Sequence, residues 1–341
     1  MHDALAMNAE GIRDIHLVGS VPLGSAGEVF VACARALGSR VRRLPDGETG
    51  TRSRWINWQR AVLERTGALE AVPSAAGMSG SSYRVRGNDG EPIEFGRLGY
   101  ADAAMESWQT FRHLQQEGTI SSTLRFQVSL PTPLAVVARH ITVDSQPAVE
   151  AAYDSALTAE LREILHAIPH DRLAIQWDVA IEIAILEGVL PAHFSPVFEG
   201  IESRLLGLAG LVPASVELGF HLCYGDAGHK HFKEPEDTSL MVRLANMLAN
   251  GPRPLNWIHM PVPHGRTDAA YFQALRELAM PPSCQLFLGL VHDIDGLQGT
   301  RSRIEIARQF APANFGIATE CGFGRRDPST VAALLKLHSE V

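Results

Sequence analysis

Val216-Glu217-Leu218-Gly219-Phe220-His221-Leu222-Cys223-Tyr224-Gly225-Asp226 reads as a buried strand whose last residues change from apolar to metal-ligand chemistry. On an extended chain His221 and Cys223, two residues apart, point to the same side. A neutral imidazole and a thiolate on one side of a strand end form half of a zinc site. The other half must come from other strand ends, and Cys321 in Ile317-Ala318-Thr319-Glu320-Cys321-Gly322 is the first candidate.

Seven more apolar runs read as strands. They are Ile15–Ser20, Val41–Leu44, Leu124–Leu130, Leu173–Asp178, Leu255–Met260, Gln285–His292 and Asn314–Thr319. Several end at proline, which removes a backbone donor: Pro22, Pro45, Pro131 and Pro261. Helical periodicity follows most of the runs, as in Val149, Tyr153, Leu157, Leu161 and Leu165 on one face of a helix over about 147–168. Eight strands, mostly apolar throughout and alternating with helices, predict an α/β chain closed as a single (β/α)8 TIM barrel over residues 1–341. Residues 66–118 read as an inserted segment after the second βα unit, with a turn signal at Asn88-Asp89-Gly90. A doubly wound open sheet is the alternative, but Gly19-Ser20-Val21-Pro22-Leu23-Gly24 makes a poor phosphate turn.

The composition sets the class. At 341 residues, 45% hydrophobic, 20% charged and formally −8, the chain is an ordinary globular protein. Basic residues are not clustered, so no nucleic-acid partner is expected. No apolar run approaches the roughly 18 residues that span a bilayer, so no membrane is expected either. Met1 to Arg13 lack the order of a signal peptide, and a cytoplasmic location is the expectation. Four cysteines in a chain of this length are thiols or ligands rather than a disulfide framework. Cys33, facing inward from a helix, and Cys284, at the opposite strand end, read as structural. A homo-oligomer stays open.

In a barrel the active site lies at the C-terminal strand ends. Ser20, Asp46, Glu48, Ser129, Asp178, His221, Cys223, His259, His292, Asp293, Glu320 and Cys321 gather there in the predicted topology. Strand ends meet solvent, which accounts for Ser and Asp but poorly for His221, Cys223 and Cys321 together. Zn²⁺ suits those three, with His259 at the end of the sixth strand as fourth or exchangeable ligand. Asp226, His229 and His231 lie in a loop that solvation explains equally well. Glu48 and Arg52, in the polar Gly-rich loop from Asp46 to Trp55, are candidates to clamp a second substrate, although a solvated ion pair fits them as well.

Four stretches resemble the catalytic barrel of cobalamin-independent methionine synthase, within the superfamily that includes uroporphyrinogen decarboxylase. Val18-Gly19-Ser20-Val21-Pro22 is similar to the family's Ile-Gly-Ser-Phe-Pro, which touches the amino-acid substrate. Gln176-Trp177-Asp178 is similar to its Gln-Ile-Asp, whose Asp holds the substrate amino group. His221-Leu222-Cys223-Tyr224 resembles its His-Met-Cys-Tyr, which carries two zinc ligands. Cys321-Gly322-Phe323, with Arg325 or Arg326 beyond, resembles its Cys-Gly-Leu and later Arg, the Cys again being a ligand. The family has a Glu where this chain offers His259, and Asp-Ile-His-Ser-Pro where this chain has Val291-His292-Asp293-Ile294-Asp295. Its second, N-terminal barrel has no counterpart in these residues.

The resemblance implies a zinc-dependent methyl (alkyl) transferase that activates a small thiol, with a folate as one candidate methyl donor. His221, Cys223, His259 and Cys321 would hold the metal. Ser20 would take a substrate carboxylate and Asp178 an ammonium, with Asp46, Glu48, Arg52 and Ser129 around them. His292 or Asp293 would be the general acid, His292 first because imidazole titrates near neutrality. A zinc lyase or hydrolase on the same barrel, and a metal-free relative binding a small ligand, are the alternatives.

Overall fold

The computed structural model describes residues 14–73, 81–87, 92–228 and 230–341. The N-terminal residues through Arg13, the Asn88-Asp89-Gly90 turn and His229 lie outside the described residues. Nine strands occur among the described residues: β1 Arg43–Pro45, β2 Leu69–Pro73, β3 Ser81–Val85, β4 Arg125–Pro131, β5 Leu173–Val179, β6 Glu217–Leu222, β7 Trp257–Pro261, β8 Gln285–Val291 and β9 Gly316–Thr319.

Seven of them form one parallel sheet in the order β1-β4-β5-β6-β7-β8-β9. Helices lie between consecutive strands, the alternation that parallel pairing requires. The central strands are buried along nearly their whole length, which explains their predominantly apolar sequences.

The count departs from the eight strands expected. Ile15–Ser20 is not a strand, and the sheet has seven rather than eight. This segment instead makes single parallel bridges, from Ile15 to Val41 and to Ile317, and from Ser20 to Gly47. The His16 amide donates to the Ile317 carbonyl (2.9 Å) and the Ile15 amide to the Arg40 carbonyl (2.8 Å), so it lies between the two edges of the sheet. Continuous pairing is lost early, because by Ser20 the chain is turning and the Val21-Pro22 step removes a donor.

β2 and β3 form a separate antiparallel hairpin. It packs on residues 141–145, where the Thr142 amide donates to the Tyr83 carbonyl (2.9 Å) and the Val85 amide to Ser145 Oγ (3.2 Å). Helices at Pro133–His140 and Ile181–Leu186 follow β4 and β5 directly. Pro133 is the first residue of the former, whose N-cap Thr132 accepts from the Ala135 amide. No helix among the described residues is long and apolar enough to cross a membrane.

Two buried carboxylates hold the outer helices. Glu160 accepts from the amides of Leu98 (2.5 Å), Gly99 (2.9 Å) and Ala101 (3.0 Å), satisfying the start of helix Tyr100–Gln116 from another helix. Glu160→Ala leaves these donors unpaired and should lower stability in urea unfolding by about 2–3 kcal/mol. An unchanged midpoint would refute that role.

Glu182 is 1% exposed, and its carboxyl is pushed up to about 7 by burial, against the Thr132 hydroxyl that donates to it. An unfolded Glu titrates near 4.3. The folded state therefore binds this proton more tightly, and the stability it contributes is complete below about pH 4 and lost as pH rises through about 7. Glu182→Gln should stabilise the fold by about 1–3 kcal/mol at pH 8.5 and change little at pH 4. A thermal shift of equal size at both pH values would contradict this.

Candidate metal centre

His221, one residue before the end of β6, lines the site and is 3% exposed. Cys223 lies just past the strand, and its amide donates to the Val179 carbonyl (2.9 Å), which keeps it alongside the end of β5. Gly219 admits Trp257: a Cβ there would come within 2.0 Å of the indole. Cys321 comes from the turn after β9, tied back where Thr319 Oγ1 donates to the Cys321 carbonyl (2.6 Å). The Phe323 amide donates to the Ser20 carbonyl (2.7 Å) and the Gly324 amide to Ser20 Oγ (3.2 Å). Gly322 permits this approach, since a Cβ there would lie 2.3 Å from Ser20 Oγ.

The result is one cluster. Donor atoms of His221, Cys223 and Cys321 all lie within 4.8 Å of one another. The two sulfurs are 3.8 Å apart, and both cysteines are free. That separation is far beyond a disulfide bond of about 2.05 Å. It matches the ~3.8 Å at which two sulfurs stand when each is about 2.3 Å from one tetrahedral ion.

The protonation states suit the same ion. Burial, together with His259, His16 and Arg325, lowers the His221 pKa well below its ordinary value, so the ring is neutral and offers a lone pair. In the thiol pair the Cys223 sulfhydryl donates to Cys321, which lowers the Cys321 pKa against its burial, with Arg325 adding to it. Cys223 is raised by that bond and by burial. A soft, buried donor set of this kind fits Zn²⁺.

His259 is not in this group. It lies opposite His221 in the β6–β7 register and is fully buried. Its Nδ1 is 2.7 Å from His221 Nδ1, and its Nε2 is 3.0 Å from the Thr319 carbonyl.

The cluster opens into a cavity of about 60 Å³, lined among others by Ser20, Glu48, Trp55, Asp178, Asp226 and Arg325. Asp178 is 8% exposed and accepts from Gln176 Nε2 (2.9 Å) and from the Trp55 side chain. Burial and the nearby Glu48 push its carboxyl well above the usual range. Glu48 is pushed to about 7, first by burial.

The other expected site residues lie outside the cavity wall. The Asp46 carboxylate is held by Arg52 (2.7 Å), Ser107 Oγ (2.8 Å) and the Glu48 amide (2.9 Å). Ser129 Oγ donates to the Val18 carbonyl (3.2 Å). His292 is 5% exposed, its Nε2 donates to the Val262 carbonyl (2.8 Å), and burial lowers it to about 4. Asp293 pairs with Arg326 at 2.5 Å. Thus Ser20, Glu48, Asp178, His221, Cys223 and Cys321 share one cavity, whereas Asp46, Arg52, Ser129, His259, His292 and Asp293 do not line it.

Trp55 and Asp226 did not stand out in the sequence as cavity residues. Trp55 adopts φ 50° and ψ −122°, a region rarely open to a residue with a Cβ. No pattern in the sequence marks that conformation.

No family model matches the chain, and no curated protein matches it. Among solved structures, a B12-independent methionine synthase from Shewanella sp. W3-18-1, in complex with selenomethionine, is similar at TM-score 0.62 and 13% identity, covering 96% of this chain and 95% of that one. A Listeria monocytogenes structure provisionally assigned as a vitamin-B12-independent methionine synthase is similar at TM-score 0.57 and 13% identity, covering 97% and 98%. At this identity the likeness shows a methionine synthase-like fold.

Proposed function

We propose that this chain is a zinc-dependent S-methyl (alkyl) transferase acting on a small thiol that carries an ammonium group. The observation that carries the reading is the meeting of His221, Cys223 and Cys321 within 4.8 Å, with a sulfur separation of 3.8 Å. The similar fold of the Shewanella methionine synthase supports it.

His221, Cys223 and Cys321 would hold the metal. When bound, Zn²⁺ supplies a site at which a substrate thiol loses its proton at neutral pH. Asp178 binds the substrate ammonium, oriented by Gln176, whose amide also donates to the Val18 carbonyl (2.6 Å). An ammonium there replaces the Trp55 bond and restores the charge that burial suppresses on Asp178. Arg325, paired with Asp226 at 3.3 Å, offers a positive group in the same cavity wall for a substrate carboxylate. Glu48, close to neutrality and in the wall, is the group suited to move a proton, because His292 donates to a carbonyl outside it. The alkyl donor is a small molecule, with a methylated folate the first to try.

The test is product analysis by mass spectrometry, with zinc-loaded protein, methyltetrahydrofolate or another methyl donor, and a panel of small aminothiols. The reading expects a thioether that forms only when zinc, donor and thiol are all present. Turnover that needs no thiol would instead identify a lyase or hydrolase and overturn it.

A further inference from the structure

The buried contact between His221 and His259 carries a consequence for the metal centre, and it rests on the zinc reading only for its functional meaning. We propose that His259 is a positioning residue rather than a ligand: it holds the proton of His221 on Nδ1 and so presents the Nε2 lone pair of His221 to Cys223 and Cys321.

A peptide carbonyl only accepts. His259 Nε2, 3.0 Å from the Thr319 carbonyl, must therefore carry a hydrogen. His259 is fully buried between that carbonyl and another imidazole, with no carboxylate among its described hydrogen-bond partners to hold a positive charge, so the ring is neutral and has one proton to place. Its Nδ1 is then a lone pair. His221 Nδ1 lies 2.7 Å away, a separation at which two lone pairs would repel, so His221 Nδ1 must be the donor. His221, 3% exposed and likewise without a carboxylate partner, is neutral too, and its remaining lone pair is on Nε2. Of the two ring nitrogens, only Nε2 remains free to take a metal.

The rest of the surroundings agree. His16 approaches His259 with ring centroids 5.9 Å apart but commits its own Nε2 to Gln176 Oε1 (2.8 Å). Thr319, which anchors His259 through its carbonyl, also donates its hydroxyl to the Cys321 carbonyl (2.6 Å). One strand end thus fixes both the orientation of His221, through His259, and the turn that carries Cys321. Outer partners of metal-bound histidines act in this way, fixing tautomer and ring orientation, and their loss typically costs about 10–100-fold in metal affinity.

Two readouts decide the matter. Long-range nitrogen–proton NMR on histidine-labelled protein reports tautomers directly, with His221 and His259 signals assigned by substitution. In both metal-free and zinc-loaded protein, His259 should be protonated at Nε2 and His221 at Nδ1. X-ray absorption on the zinc-loaded protein should count two sulfurs and a single imidazole. His259→Leu should weaken zinc binding by ~10–100-fold in chelator competition. His259→Gln, which keeps an acceptor toward His221 and a donor toward Thr319, should recover most of it. Two imidazoles on the metal, or a His221 proton on Nε2 in the metal-free protein, would overturn the proposal. Should the wild-type protein bind no zinc, the transferase reading fails, and the tautomers of the metal-free protein still decide the role of His259 independently of how either variant folds.

Discussion

Cys223→Ser and Cys321→Ser should each lower zinc affinity by more than ~100-fold, beyond what losing an outer-shell partner costs. The reason is geometric. Among the described residues three donors converge, from the end of β6 and the turn after β9, so removing either sulfur leaves two of them in a buried site. A serine hydroxyl is a harder donor and gives up its proton far less readily than a thiol. Cys284→Ala is the control: that thiol is also buried and free, but it lies before β8, at the other end of the strands. It should leave zinc content at one per chain. Equal retention of zinc by all three variants, measured by elemental analysis after gel filtration, would rule out the cluster as the binding site.

Asp178→Asn should reduce kcat/KM for an aminothiol by ~30–1,000-fold, equivalent to about 2–4 kcal/mol for losing the charged partner of a buried ammonium. Zinc content should not change, because Asp178 lies outside the three-donor group. The substitution keeps the shape and an acceptor oxygen for Gln176 while removing the charge. The loss should shrink for a thiol lacking the amino group, since that substrate never used the carboxylate. An equal loss for both substrates would show that Asp178 acts on something other than the ammonium.

Most of the parallel architecture is legible from β4 onward. The runs at 124–130, 173–178, 216–222 and 285–292 are predominantly apolar, and the helices after them repeat at helical spacing. The edge of the sheet is less legible. Ile15–Ser20 has the composition of a strand, yet only single bridges form, because its next residues turn toward Gly47 and Phe323. The helices Pro133–His140 and Ile181–Leu186 are short, and the proline opening the first looks like a terminator when read without its threonine cap.

At the site, strand-end position was enough to bring His221, Cys223 and Cys321 together. It was not enough for His259 and His292. Both read as strand-end residues, but the sequence does not say which nitrogen meets a carbonyl, and those carbonyls, Thr319 and Val262, decide what each ring can do. Asp46 fails as a cavity residue for a similar reason. Its partner Ser107 lies 61 positions away, in a helix whose packing no local pattern reveals.

The most direct test is diffraction at the zinc absorption edge from crystals grown with zinc. The account predicts a single anomalous peak about 2.3 Å from the sulfurs of Cys223 and Cys321 and about 2.0–2.1 Å from Nε2 of His221. A peak located elsewhere, no peak at all, or the two sulfurs joined as a disulfide would contradict it.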